Sequence, residues 1–265
     1  MDERTGHGGN YMRRPRVYSG SMSDARKVAL VTGGAKRVGR AIALGLAELG
    51  YDVALTYLSS EDEARDTRTE IEKLGRRCAT IRADLTRPAE AVDAIVRDVS
   101  GQFGALNVLV NNASWYAKAD LREVTPDIMR RLNAIHVETP LLLCRGFERM
   151  LREARGHVVN MVDLLAERPW PAYLAYCASK AALWNLTLGL ARELAPEVTV
   201  NGIAPGVVEW PDGYPEAERE KYLTRVPLGR SGAPEDVAGV VRFLVTGGAY
   251  ITGQIIRLDG GRSIT

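Results

Sequence analysis

The sequence predicts an α/β fold: a doubly wound, mostly parallel sheet of seven strands with helices on both faces. Three observations carry that prediction. Short apolar runs alternate strictly with longer segments of helical apolar spacing. The short runs are apolar throughout, as in strands buried from both sides. Glycine and proline mark the junctions, and no linker divides the array, so residues 27–265 read as one domain.

Each element follows from its residues. KVALVTG, starting at Lys27, is a strand running directly into glycines, and RAIALGLAELG after it has helical spacing with Gly50 as its stop. DVALTY is the second strand, and EDEARDTRTEIEKLG is a charged helix ending at Gly75. RCATIRADL is the third strand, and Pro88 opens the third helix, where its missing N–H is harmless. LNVLVNNAS is strand four, followed by one long helix over residues 126–154. GHVVNMVD is strand five, a helix covers residues 173–194, and VTVNGIAPG is strand six. Residues 208–232 are polar, Pro-rich and charged; PEDVAGVVRFLV is a further helix, and GQIIRLDGG the last strand. Strict alternation implies right-handed crossovers. Long loops after strands four, five and six would gather at the carboxyl edge of the sheet, where open α/β folds bind ligands.

Bulk properties narrow the function. The 265 residues include 35 Lys plus Arg against 33 acids, and a net charge of +2 gives no argument for nucleic acid or an anionic membrane. Apolar residues at 46% and charged ones at 26% suit a soluble globular protein, with no apolar run of the ~18 residues a membrane span needs. Cys78, Cys144 and Cys177 have no paired spacing and read as reduced thiols of a cytoplasmic protein. His7, His136 and His157 are scattered, so no metal site is expected. Residues 1–26 lack apolar periodicity and a secretory h-region, and read as a flexible extension in which Met22 is an alternative start. A basic arm at Arg13, Arg14 and Arg16 is the other reading of that segment.

Three segments carry chemistry. Tyr176 and Lys180 stand four apart, on one face of a helix and about 6 Å apart at Cβ, so the ammonium is expected to lower the phenol pKa. A lowered phenol suits proton transfer to a carbonyl or imine. Alone, the pair also fits an ordinary helix surface. The second segment is TGGAKRVG at 32–39, between the first strand and first helix. Gly33 and Gly39 let backbone N–H groups and the helix N-terminus approach a pyrophosphate, with Lys36 and Arg37 as adjacent cations. The third is the end of strand two, where Tyr57, Ser59 and Ser60 stand with no acid until Glu61. Hydroxyls and nearby cations suit a 2′-phosphate, so NADP(H) is preferred over NAD(H). Asp84 either accepts from the adenine amino group or caps a helix.

Thr-Gly-x-x-x-x-x-Gly at 32–39, Asn111-Asn112-Ala113-Ser114, Tyr176-x-x-x-Lys180 and Pro205-Gly206 together resemble the short-chain dehydrogenase/reductase family over residues 27–263. The resemblance implies a Rossmann-like fold, a homotetramer, and cofactor contacts from Val38, Leu85, Asn111, Ala113, Ser114, Tyr176, Lys180, Pro205, Gly206 and Val207 as well. Arg37, NNAS and NMVD ending in Asp163 look like the pteridine reductase and dihydromonapterin (dihydrofolate) reductase branch. That branch implies Asp163, Tyr176 and Lys180 as catalytic residues, with Asp163 and Tyr176 delivering protons. It further implies Arg37, Ser114, Tyr116, Asp163 and Tyr176 at the pterin.

Two positions depart from the pattern. His136 falls where the wider family has an asparagine that holds a relay water, and Asn133 is one turn earlier. Ser59 stands where some pteridine reductases carry an Arg for the 2′-phosphate. Trp115, Tyr116, Trp170, Tyr173 and Trp210 suit flat walls for a heterocycle, with core or dimer-interface packing an equal reading for Trp170 and Trp210, while Trp184 reads as packing. The expected activity is NADPH-dependent reduction of a pterin, dihydropterin or dihydrofolate. The alternatives are reduction of an oxoacyl thioester or small ketone, and a nucleotide-binding protein without turnover.

Overall fold

The computed structural model describes residues 26–210 and 213–265. Apart from Arg26, the expected extension lies outside them. The strands are β1 (Val28–Val31), β2 (Asp52–Tyr57), β3 (Cys78–Arg82), β4 (Val108–Asn111), β5 (His157–Met161), β6 (Thr199–Pro205) and β7 (Ile255–Leu258). All pair in parallel, in the order β3-β2-β1-β4-β5-β6-β7. The helices are α1 (Arg37–Glu48), α2 (Glu61–Lys73), α3 (Pro88–Phe103), α4 (Pro126–Asn133), α5 (Thr139–Glu153), α6 (Leu174–Glu193), α7 (Glu216–Leu223) and α8 (Pro234–Thr246).

The uninterrupted apolar strands are explained by two cores, one on each face. Val28 and Leu30 of β1 pack with Ile95 of α3, Phe147 of α5 and Leu190 of α6. Ala29 and Val31 point the opposite way, to Ile42 and Leu46 of α1, Ile71 of α2 and Val241 of α8. Alternate residues of one strand thus need apolar side chains for different partners. Strand order reverses between β1 and β4, and the crevice beyond their carboxyl ends is the ligand position of such folds.

Two segments differ from the sequence expectation. The single helix expected over 126–154 is α4 and α5 joined by a π turn, Ala134–Glu138. Pro140 has no N–H to return to the His136 carbonyl, so a regular α ladder breaks there and the wider turn takes up the offset. The polar stretch 208–232 contains α7, which buries none of its residues and so lacks the apolar period that would announce it.

Candidate active site

A cavity of about 560 Å³ opens at the carboxyl edge of the sheet. Its floor is the glycine-rich turn. Thr32 Oγ1 accepts N–H bonds from Asn112 (2.9 Å) and Ala113 (3.0 Å), and the Asn112 amide donates to the carbonyls of Thr32 (2.9 Å) and Gly33 (3.1 Å). The turn is therefore clamped to the end of β4. A Cβ on Gly39 would lie 2.0 Å from the Gly33 carbonyl oxygen and 2.7 Å from Asn112 Nδ2, so the clamp needs glycine there. Arg37, where glycine is common, takes a left-handed φ of 53°, the conformation that explains the usual choice. α1 has no side-chain cap, which leaves its first-turn amides available to an anion beside the cavity.

Most of the expected cofactor residues line this cavity: Gly33, Lys36, Arg37, Val38, Gly39, Tyr57, Ser59, Ser60, Asp84, Leu85, Ala113, Ser114, Tyr176, Lys180, Pro205 and Gly206. Two do not. The Asn111 amide donates to Asn160 Oδ1 at 2.8 Å, inside the sheet, so its neighbour Asn112 faces the turn instead. Val207 gives its N–H to the Tyr222 hydroxyl at 3.3 Å, and Val208 lines the cavity. Asp84 uses one oxygen for the backbone N–H (3.0 Å) and hydroxyl (2.7 Å) of Thr86, and these bonds hold its carboxyl below the usual range. Arg37 faces Glu209 at 3.4 Å across the cavity mouth, a partner absent from the sequence expectation.

Asp163, Tyr176 and Lys180 meet at one wall. Asp163 follows β5 and caps a short 3₁₀ turn, Oδ1 accepting from the Leu165 N–H at 2.8 Å. Its Oδ2 accepts from the Tyr176 hydroxyl at 2.7 Å. Tyr176 and Lys180 share one face of α6 and are 3% and 2% exposed. Lys180 Nζ donates to the Met161 carbonyl at 2.7 Å. Burial lowers Lys180 to about 8, with Asp163 opposing. Burial also raises Asp163, against the bonds from Leu165 and Tyr176.

The expectation that Lys180 lowers the Tyr176 pKa is corrected by the geometry. Burial and the adjacent Asp163 charge hold the phenol well above its ordinary value. Tyr176 is a neutral hydroxyl donating to a carboxylate, and the pair holds one proton in a shared bond.

His136, at the centre of the π turn, is 1% exposed. Its Nε2 lies 2.9 Å from Ser114 Oγ, and its Nδ1 lies 2.8 Å from Ser179 Oγ. Burial, then Lys180, keep the ring well below the usual histidine pKa and so neutral. His136 also packs edge-on against Tyr176, with centroids 5.6 Å apart. Asn133 does not line the cavity, whereas Arg131 does and stacks over Trp115 at 4.2 Å.

Tyr116 is 46% exposed, stacks on Tyr173 at 4.8 Å and meets Tyr176 edge-on at 4.9 Å. Trp170 and Trp210 pack on Tyr222 behind this wall, and Trp184 sits beside Arg257, away from the cavity. Sequence reasoning missed Arg131, Glu209 and the contacts of His136. Pro140 is the one sequence signal for the π turn that aims His136. All three cysteines are buried and free. Among the described residues, no His/Cys/Asp/Glu group is arranged to hold a metal, and no helix is long and apolar enough to cross a membrane.

Comparison with known proteins agrees with this architecture. Residues 33–263 match a family model described as enoyl-(acyl carrier protein) reductase. A 3-oxoacyl-[acyl-carrier-protein] reductase of Staphylococcus aureus is 36% identical over 248 residues, covering 89% of this chain and 97% of the relative. An acetoin dehydrogenase from Enterobacter cloacae superposes with a TM-score of 0.84 at 33% identity, covering 91% of this chain and 97% of that one. An alternative dihydrofolate reductase from Brucella canis, complexed with NADP, also gives 0.84, at 34% identity and covering 91% and 95%.

Proposed function

Because the chain belongs to the short-chain dehydrogenase/reductase family and is an oxidoreductase of that family, we propose that it reduces a pterin, dihydropterin or dihydrofolate with NADPH. The observation that carries this reading is the 2.7 Å bond from the Tyr176 hydroxyl to Asp163. In reduction of a simple ketone, oxygen gains negative charge at the site of proton delivery. A carboxylate beside it would repel that charge, whereas pterin ring N–H and amino groups bond well to a carboxylate.

The donor set suits NADPH. The turn from Gly33 to Gly39 would take the pyrophosphate on backbone N–H groups, with Lys36, Ser59 and Ser60 beside the 2′-phosphate. Asp84 and Leu85 would flank the adenine, and Pro205 and Gly206 the nicotinamide side. NADPH supplies hydride when bound. Lys180 holds the Met161 carbonyl and keeps a positive charge near Asp163. The Asp163–Tyr176 pair would supply the proton that a reduced ring nitrogen needs, and burial raises the Asp163 pKa above the ordinary carboxyl value. Tyr116, backed by the stacked Tyr173, would offer its flat ring to the substrate from the cavity lining. Exposed Leu141, Leu174 and Leu188 on α5 and α6 are apolar surface that a homotetramer would cover.

The second reading, reduction of an oxoacyl thioester or small ketone, is favoured by the Staphylococcus aureus relative and the acetoin dehydrogenase neighbour. Asp163→Ser separates the two. The variant is expected to lose at least about a hundredfold in kcat/KM for dihydrobiopterin, the scale of a general acid, while ketone reduction is maintained or rises. Unchanged dihydrobiopterin turnover, or wild-type turnover confined to acetoacetyl thioesters, overturns the pterin reading.

A further inference from the structure

The wall beside Tyr176 has a direction of hydrogen bonding that the side-chain contacts determine. Ser179 Oγ donates its single hydrogen to the Tyr176 carbonyl at 2.7 Å. At 2.8 Å from His136 Nδ1 it must then accept, so Nδ1 carries the ring proton. Nε2 of a neutral ring is therefore an acceptor. The Trp115 N–H, directed at Nε2 from 3.4 Å, requires the same assignment independently. Ser114, 2.9 Å from Nε2, must donate to it. Its one hydrogen is thereby committed to Nε2, and what Ser114 has left to offer a cavity ligand is lone pairs.

We propose that His136 is a positioning residue that sets the hydrogen-bond polarity of the substrate wall. By taking the Ser114 proton it makes Ser114 an acceptor. Ser114 and Asp163 together then select substrates that carry N–H or O–H donors beside the bond being reduced, and disfavour a bare carbonyl. Naming an N–H-bearing ring as that substrate rests on the pterin reading; the polarity itself does not. His136 does not line the cavity, so it acts through Ser114 and, by its edge-on contact, through Tyr176.

Two measurements test this. His136→Phe keeps a planar ring and frees the Ser114 hydrogen. The ratio of kcat/KM for dihydrobiopterin to that for acetoacetyl thioester should fall at least about tenfold, the worth of one hydrogen bond between neutral partners. His136→Gln, whose amide oxygen can stand in for Nε2, should restore the ratio to within about threefold on the same scale. An equal loss on both substrates indicates a merely structural histidine and overturns the proposal. If wild type reduces no pterin, the pterin reading fails by itself, and the same ratio is taken for acetoin against butanone, which differ by a hydroxyl donor. Should His136→Phe fail to fold, ¹⁵N-histidine NMR of the wild-type protein with NADPH decides at about pH 7, where an unperturbed imidazole is largely neutral. A protonated Nδ1 with a bare Nε2 on His136 supports the proposal, and the opposite tautomer overturns it.

Discussion

Lys180→Met should reveal a stability penalty built into the cavity wall. Lys180 is 2% exposed, and burial lowers its pKa from 10.5 to about 8. By linkage, that difference corresponds to about 3 kcal/mol of lost stability at pH 7. Between pH 8 and 10.5 the unfolded chain holds a proton that the folded chain has released, so stability rises with pH through that window. Below pH 8 both states hold the proton and the full penalty stands. Methionine is unbranched and apolar, fits the same channel and escapes the penalty. It also leaves the Met161 carbonyl without its donor, a loss of about 1–3 kcal/mol. At pH 7 the variant should therefore be equal to wild type or more stable by up to about 2 kcal/mol. At pH 10 the wild-type penalty is below about 1 kcal/mol, so the variant should lose about 2–3 kcal/mol of its relative standing. Urea unfolding followed by circular dichroism at both pH values, without added cofactor, measures the change. A stability difference that stays constant between pH 7 and 10, within about 0.5 kcal/mol, would refute the buried-ammonium argument.

Other perturbations probe the rest of the cavity. Gly39→Ala places a methyl against the Gly33 carbonyl and Asn112; a stability loss of about 1–3 kcal/mol in urea unfolding and at least about tenfold weaker NADPH binding are expected. Glu209→Gln releases Arg37 from its half-exposed carboxylate partner. NADPH affinity by fluorescence titration should rise up to about fivefold at low salt, and the gain should vanish near 0.5 M salt, about where screening is strong. Tyr116→Ala removes the stack on Tyr173; KM for dihydrobiopterin should rise about tenfold while the NADPH dissociation constant stays within about twofold.

The fold was readable wherever burial was doubled. β1 presents Val28 and Leu30 to one core and Ala29 and Val31 to the other, so the run is apolar at every position. α7 could not be read because it buries nothing. The π turn escaped because one extra residue in a helical ladder leaves no apolar signature, and Pro140 alone marks it. Asn111 and Asn112 show the limit of a motif: adjacent residues at a strand end face opposite ways, and only the sheet decides that Asn112 clamps the turn while Asn111 turns inward to Asn160.

In the site, what was local in sequence was legible and what depended on burial was not. Tyr176 and Lys180 share a helix face because they are four apart, and the structure keeps them so. The direction of the Tyr176 shift depends on a different comparison. A neighbouring ammonium favours the phenolate, but the phenol is nearly excluded from water and bonds a carboxylate at 2.7 Å, and both effects favour the neutral form. Burial also brings the Lys180 ammonium to about 8, so the charge that was to activate the phenol is itself only conditionally present. The proton is therefore held between Tyr176 and Asp163, two groups whose charged forms are both disfavoured by burial. A ligand that offers an N–H to Asp163 would compete for the carboxylate and free the Tyr176 hydrogen for transfer. On the pterin reading, substrate recognition and proton release would then be the same event, because the ring that offers its N–H to Asp163 is the ring that receives the Tyr176 proton.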